Sequence, residues 1–334
     1  MHIQDNLSLK PYNTFGIDTT AEHFTSVQDL DDVQDVGELP YQRHVLGGGS
    51  NILLTQPMKG LVVHNGLKGI SVEHEDADHV WLNVQSGEVW HDLVLYAIER
   101  GWGGIENLAL IPGTVGASPM QNIGAYGVEA RETIQNVTFY HWDDKSIVTL
   151  ENSECRFGYR DSIFKHELKD KTFITSVVYK LNKHPHYNTT YGAIQQELEA
   201  MGSHELSVKS IAQAVMNIRR SKLPDPKEIG NAGSFFKNPT IPLHLYNMLK
   251  AEHDLMPHFP VNDHTVKVPA AWLIEHSGWK GYRYGDIGVH AKQALVLVNY
   301  GNGHGDAIWD LSGKIVESVK KQFDIELERE VQVW

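Results

Sequence analysis

Between Asn107 and Val128 the chain carries no charged side chain, yet it is interrupted by Pro112, Gly113, Gly116, Pro119, Gly124 and Gly127. Prolines and glycines break a helix, so the stretch cannot cross a membrane despite its lack of charge. An irregular, uncharged loop of this length is unusual on a solvated surface. If buried, its backbone amides need partners, and a large ligand rich in acceptors would supply them. The segment is therefore expected to wrap a bound molecule. A second glycine loop, Gly47-Gly48-Gly49-Ser50-Asn51, lies between Val45-Leu46 and Ile52-Leu53-Leu54. Three glycines let backbone N–H groups approach an anion closely, although a tight hairpin turn is the plainer reading of those residues alone. Neither loop is a common nucleotide fingerprint. Gly301-Asn302-Gly303-His304-Gly305 is misspaced for GxGxxG, and no GxxxxGK[ST] or GxSxG occurs. Rossmann, P-loop and α/β-hydrolase readings fall.

The chain has 334 residues, room for roughly two domains at about 150 residues each. Its net charge of −13 opposes a phosphate polyanion, so nucleic acid is not the expected partner. The single cysteine, Cys155, excludes an internal disulfide and paired-cysteine zinc sites. His184 and His186 flank a proline, and no HExxH completes a site, so no metal is expected. The first residues lack the basic start and apolar stretch of a signal peptide, and no run reaches the ~18 apolar residues of a membrane span. A cytoplasmic protein, free of membrane, is the expectation.

Helix and strand signals are mixed, which predicts an α+β fold rather than a regular doubly wound chain. Residues 86–100 read as a helix, with Ser86 as cap, Val89, Trp90, Leu93, Val94, Ala97 and Ile98 on one face, and Gly101 as stop. Helices are also expected over 207–221, 243–252, 270–275 and 306–323. A period of two over 172–181 puts Phe173, Val177, Tyr179 and Leu181 on one face of a strand. Residues 293–300 suit a buried strand, and the alternation of Ile325, Leu327, Val331 and Val333 suggests strand character with a shift. Seams are expected at 182–188 and at Leu223-Pro224-Asp225-Pro226.

One stretch reverses the acidic balance. From Arg219 to Asn238, Arg219, Arg220, Lys222, Lys227 and Lys237 face only Asp225 and Glu228, which suggests an anionic ligand. Within it, Ser234 sits in Gly233-Ser234-Phe235-Phe236-Lys237. Its hydroxyl could donate a proton in catalysis, or simply cap a helix.

Six blocks in fixed order carry a resemblance: Tyr12-Asn13-Thr14-Phe15-Gly16, the 47–51 loop, Ile111-Pro112-Gly113-Thr114-Val115-Gly116, Gln121-Asn122-Ile123-Gly124-Ala125-Tyr126-Gly127, Tyr159-Arg160-Asp161-Ser162 and Gly233-Ser234-Phe235-Phe236-Lys237-Asn238-Pro239. Together they resemble the UDP-N-acetylenolpyruvoylglucosamine reductases, flavoproteins that make UDP-N-acetylmuramate for bacterial cell walls. The segment Thr190-Tyr191-Gly192 is similar to the type I members, which carry a tyrosine loop over the substrate. The resemblance implies a two-lobed FAD-binding domain of the vanillyl-alcohol-oxidase (PCMH) type plus a smaller α+β substrate-binding domain. The implied pieces are FAD lobes over 1–66 and 67–215, a substrate domain over 216–324, and a returning strand over 325–334.

By the same resemblance, noncovalent FAD is held by Gly47, Gly48, Gly49, Ser50 and Asn51, and by Pro112, Gly113, Thr114, Gly116, Ala117, Gln121, Asn122, Gly124, Ala125, Tyr126 and Gly127. NADPH is the hydride donor, and the acceptor is UDP-N-acetylglucosamine enolpyruvate, bound through Tyr191, Lys222, Asn238 and Lys280. Arg160 and Glu330 would polarise the enolpyruvyl carboxylate, with Glu330 effective only when protonated, and Ser234 would donate a proton. Glu328 competes with Glu330 for its place, and the Arg160–Asp161 neighbourhood is also compatible with a surface ion pair. Phe259 stands where some members carry a tyrosine, which would leave stacking on uracil without the phenolic hydrogen bond. A monomer is expected. An oxidase of the same fold with covalently attached flavin and a noncatalytic sugar-nucleotide sensor are the competing readings.

Overall fold

The strand Met58–Asn65 runs through Leu61, Val62 and Val63, all buried, the continuous apolar run of a strand covered on both faces. It pairs in parallel with Thr20–Val27 on one side and Arg43–Leu46 on the other, and Gln4–Ser8 completes a four-stranded sheet. The crossover is helix α1 (Leu30–Glu38), which starts where Asp29 accepts a hydrogen bond from the Asp32 amide at 2.8 Å and points Val33 and Val36 inward. The computed structural model describes residues 1–203 and 205–334.

A five-stranded antiparallel sheet follows, in the order Ser146–Glu151, Ile134–His141, Thr172–Asn182, His79–Gln85, Ile70–Glu75. Strict alternation along His79–Gln85 buries Val80, Leu82 and Val84. The same core takes Trp90, Leu93, Val94 and Ala97 from α2 (Trp90–Glu99), Ile194 and Leu198 from α3 (Gly192–Ala200), and Ile211, Val215 and Ile218 from α4 (Val208–Lys222). Two sequence expectations change here. Ser86 does not cap α2: Val89 precedes the helix, and the buried Ser86 Oγ accepts from Asn65 Nδ2 at 2.7 Å. The freed turn becomes an edge on which the 112–127 loop lies. Phe173 does not share a face with Val177, Tyr179 and Leu181, because the register slips between Thr138↔Ser176 and Phe139↔Ile174. The bulge turns Phe173 toward Val33, Val36, Tyr140 and Trp142, while Ile174 joins the α2–α4 core.

These elements form one unit, residues 1–7, 21–48 and 58–221; residues 8–20, 49–57 and 222–334 form another. In the second, the sheet order is Gly230–Ser234, Val296–Asn299, Ile287–Val289, Arg283–Tyr284, and a three-stranded sheet carries Thr240–Pro242, Thr265–Lys267 and Phe259–Asn262. Helices α5 (Leu243–Glu252), α6 (Ala270–His276) and α7 (Gly305–Phe323) lie within a residue of their expected limits. The amino-terminal segment is tied in by Asn299 Nδ2, which donates to the Phe15 carbonyl at 2.9 Å. At the other end only Gln332–Val333 forms a strand, parallel to Ile52–Leu53, although Ile325, Leu327 and Val331 are buried as their alternation suggests. Among the described residues no helix is long and apolar enough to cross a membrane.

Candidate active site

The two glycine-bearing loops meet in the first unit. A Cβ on Gly47 would lie 2.5 Å from Thr114 Oγ1, and one on Gly48 would lie 3.1 Å from the Gly113 Cα. Side chains here would fill the space between the loops. The inner part of the 112–127 loop satisfies its own amides: Val115 N donates to Glu88 O, Gly116 N to Ser86 O, and Ile123 N to Ser118 O. The expectation that a ligand must satisfy the whole loop is therefore too broad. Protein carbonyls take the amides of the inner turn, whereas among the described residues the Gly48 and Gly113 amides donate to no backbone carbonyl. Two open amides beside an atom-tight glycine contact fit the diphosphate of a dinucleotide such as FAD. Ser50 and Asn51 belong to the second unit, where Asn51 Nδ2 donates to the Glu330 carbonyl at 3.3 Å and its own carbonyl accepts from Gln332 N.

Farther along, the loop carries a polar cluster. Arg160 has φ 54° and donates from Nη2 to the Gly124 carbonyl at 2.6 Å. Asn122 is fully buried; its amide donates to Glu129 Oε2 and to the Gly158 carbonyl, both at 2.9 Å. The Asp161 carboxylate is engaged by His166 at 2.8 Å. The ring of Tyr126 meets that of Tyr191 edge-on, with centroids 5.2 Å apart and planes at 89°. Beneath them Asn107, almost wholly buried, donates from Nδ2 to the carbonyls of Tyr126 at 3.1 Å and Asn188 at 2.9 Å. Asn188 returns a bond to the Gly127 carbonyl at 3.1 Å and accepts from Thr190. The tyrosine segment is thus stapled to the glycine loop.

Arg219, on the last turn of α4, also reaches this cluster. Its Nε is buried with no hydrogen-bond partner. Burial disfavours its charge, the Tyr126 phenol favours it, and the charge of Arg160 opposes it. Burial in turn pushes the Tyr126 phenol up, against the pull of Arg219. Sequence reading placed Arg219 in a basic stretch without choosing it over Arg220, and did not select Asn107 or Asn188.

In the second unit, Ser234 is exposed while Phe235 and Phe236 beside it are buried. The turn that presents it is shaped by buried Asn231, whose Oδ1 accepts from Gly233 N at 2.9 Å while Gly233 holds φ 70°. The chain around Glu330 pairs with this segment: Lys237 N donates to Glu328 O, and Glu330 N to Phe235 O. Glu328, largely exposed, engages the ammonium of Lys237. Arg329 is anchored by Nε to Ser312 Oγ at 2.8 Å and lies 4.0 Å over the Trp309 ring. Other expected contacts have internal partners here. Asn238 Oδ1 accepts from the Ala270 amide at 2.9 Å at the start of α6, and Lys280 pairs with Glu275 at 2.8 Å. Lys222 is exposed at the end of α4, and Phe259 is exposed on its strand. His184 and His186 are exposed, and no cluster that could hold a metal occurs among the described residues.

Known proteins are similar to this chain in sequence and fold. The family model described as "UDP-N-acetylenolpyruvoylglucosamine reductase, C-terminal domain" matches residues 225–334, and an FAD binding domain model matches residues 21–150. A protein of Flavobacterium johnsoniae named UDP-N-acetylenolpyruvoylglucosamine reductase is 47% identical, covering 100% of both chains. One of the same name from Chromobacterium violaceum is 46% identical over 99% of this chain and 98% of its own. The crystal structure of the reductase from Thermus caldophilus superposes with a TM-score of 0.69 at 24% identity, covering 100% of this chain and 99% of that one, which supports the shared fold.

Proposed function

The chain belongs to the UDP-N-acetylenolpyruvoylglucosamine reductase family, and from that premise we propose that Arg160, Glu330 and Ser234 carry the reduction of the enolpyruvyl group. The enzyme is an FAD-containing oxidoreductase that uses NADPH to convert UDP-N-acetylglucosamine enolpyruvate to UDP-N-acetylmuramate, a peptidoglycan precursor. The full-length match at 47% identity carries the activity. The meeting of the two glycine loops at Gly47, Gly48, Gly113 and Thr114 supports the cofactor's place in the chain. Gly49, Ser50, Asn51, Pro112, Gly116, Ala117, Gln121, Asn122, Gly124, Ala125, Tyr126 and Gly127 complete the proposed cofactor-binding set.

Held by the two glycine loops, FAD would supply hydride chemistry at the enolpyruvyl methylene carbon, with NADPH as the reductant. An enol ether resists this addition unless charge can spread from the adjacent carbon onto the carboxylate. In the proposed mechanism the Arg160 fork binds that carboxylate with two parallel hydrogen bonds. Glu330 assists as a neutral hydrogen-bond donor, since a second carboxylate would repel the developing charge. The Ser234 hydroxyl donates its proton to the carbon bearing the ether oxygen. Glu328, the competing carboxyl of that segment, is engaged by Lys237.

For the sugar nucleotide, Lys222 and Lys280 would neutralise the diphosphate and Tyr191 would cover it. For Asn238, whose oxygen already caps α6, the amide nitrogen is the proposed contact. We place the working enzyme in the cytoplasm, where NADPH and sugar nucleotides are held, as a monomer; sedimentation of the holoprotein tests the latter. The primary experiment is anaerobic. The purified protein is expected to be yellow, to bleach with NADPH, and to regain colour on addition of the enolpyruvyl sugar nucleotide but not of UDP-N-acetylglucosamine. A colourless protein that binds no FAD would defeat the reading.

A further inference from the structure

We infer that Glu106 is a positioning residue for the sugar nucleotide: its carboxylate sets the turn against which the Tyr191-bearing segment is laid. The inference rests on the proposed place of Tyr191 over the substrate and extends it. Glu106 is the last charged residue before the uncharged stretch that begins at Asn107. Only 3% of it is exposed, and among the described residues it forms no ion pair. A carboxylate so deeply buried is unfavourable unless it is paired or hydrogen-bonded. Its partner is the backbone of its own turn. Oε2 accepts from the Gly104 N–H at 2.6 Å. Burial pushes the carboxyl pKa up, and the amides of Glu106 itself, Gly104 and Ile105 pull it back by favouring the charged form. The side chain therefore folds back over residues 104–106 and fixes the entry to the 3-10 turn Glu106–Leu108.

That turn carries the segment leading to Tyr191. Residues 183–191 lie in neither helix nor strand, so their shape must come from what they rest on. Gly103 exchanges both backbone hydrogen bonds with Asn182, each at 2.9 Å. A Cβ on Gly103 would lie 2.3 Å from Pro185 Cβ, so turn and segment meet at backbone distance. Asn107, next to Glu106, donates to the Asn188 carbonyl at 2.9 Å. The contacts at Asn182, Pro185 and Asn188 thus step along the segment toward Tyr191. Asn107 also holds the Tyr126 carbonyl at 3.1 Å, and the Tyr126 ring meets Tyr191 edge-on. One turn sets the spacing between the glycine loop and the tyrosine. A carboxylate suits its centre because both oxygens accept from N–H groups. A glutamine there would offer one acceptor and set its own NH2 against a donor.

The test is Glu106→Gln in the flavin-loaded enzyme, alone and combined with Tyr191→Ala, titrated in the oxidised state with UDP-N-acetylglucosamine enolpyruvate by calorimetry. Glu106→Gln is expected to weaken binding by about ten- to a hundredfold, the scale of a hydrogen bond lost from a charged group. Flavin content should stay full, and reoxidation at saturating substrate should stay within about threefold of wild type. In the Tyr191→Ala background the same change should cost less than about twofold, because the two residues act through one contact. Amide hydrogen exchange, read by mass spectrometry, should quicken at residues 103–108, 126–127 and 182–191 and nowhere else. Glu106→Asp, which keeps the charge one methylene short, should show a smaller loss in the same pattern, and it carries the test should the glutamine variant lose FAD or fail to fold. Unchanged affinity would overturn the inference, as would a loss of equal size in the Tyr191→Ala background. Faster exchange throughout the fold would overturn it too, by showing a general loss of stability. If Tyr191→Ala alone binds the sugar nucleotide as tightly as wild type, the reading of Tyr191 fails and this inference falls with it; a sensitive Tyr191 with independent losses defeats this inference alone.

Discussion

The backbone N–H of Glu330 donates to the carbonyl of Phe235 at 2.9 Å, one residue past Ser234 along the chain. With Lys237 N on Glu328 O, this pairs the segment bearing the proposed proton donor with the segment bearing the proposed polarising acid. Phe235 and Phe236 anchor it from below, so replacing Ser234 should disturb neither backbone nor core.

Ser234→Ala is therefore expected to leave flavin reduction by NADPH within about twofold of wild type. Reoxidation by the enolpyruvyl substrate should fall by about 10²–10⁴-fold, the range of a lost general acid. Stopped-flow absorbance of each half-reaction decides the matter, and equal losses in both would remove Ser234 from the role.

Arg160→Ala should slow the second half-reaction by about 10²–10³-fold, as for other removed donors to a developing anion. Because Arg160 also donates to the Gly124 carbonyl, the variant should release FAD more readily on dilution. An unchanged second half-reaction would refute the assignment.

Asn107→Ala removes the donor shared by the Tyr126 and Asn188 carbonyls. At about 0.5–1.5 kcal/mol for each hydrogen bond, the tyrosine segment should loosen and KM for the sugar nucleotide should rise by about five- to a hundredfold. The flavin-reduction rate should be nearly unchanged, and steady-state kinetics with the half-reactions separates the two effects.

Gly47→Ala would drive a methyl to 2.5 Å from Thr114 Oγ1. We expect a cost of about 1–3 kcal/mol and substoichiometric flavin. Combining it with Thr114→Ala removes the clashing atom and should recover part of the thermal stability. Flavin content by absorbance and melting temperature report the two outcomes.

The only thiol in the chain, Cys155, is fully buried, and burial together with Glu154 and Glu151 pushes its pKa up to about 12. At pH 8 on the order of one molecule in ten thousand would carry the thiolate, the form that alkylates. Iodoacetamide should leave the native enzyme unmodified at pH 8 and label it after denaturation, as mass spectrometry would show.

Much of this was legible in the chain. The periods that set α5, α6 and α7 are local, and the structure keeps their limits. What escaped was decided elsewhere in the molecule. Ser86 has the local signature of a helix cap, but the hydroxyl is engaged by Asn65, distant in sequence, and the turn serves the glycine loop. The bulge that reverses Phe173 depends on the partner strand, so a strict period of two misplaced it. Arg219 and Arg220 differ only by the phase of α4, since Arg219 falls beside the Val215 and Ile218 stripe; that signal was available and was missed. Asn107 could not be separated from other uncharged loop residues, because its significance lies in the two carbonyls it joins.

Gly47-Gly48-Gly49 is also the place where the chain leaves one folding unit for the other, and residues 8–20 and 49–57 fold with residues 222–334. Neither unit is a single uninterrupted stretch of polypeptide. A chimera that exchanged only the last third of the molecule with a relative would split a unit, parting Asn299 from Phe15 and Gln332 from Asn51. Recombination that preserves the fold must therefore carry three separate pieces of gene at once, a constraint that favours inheritance of the chain as a whole.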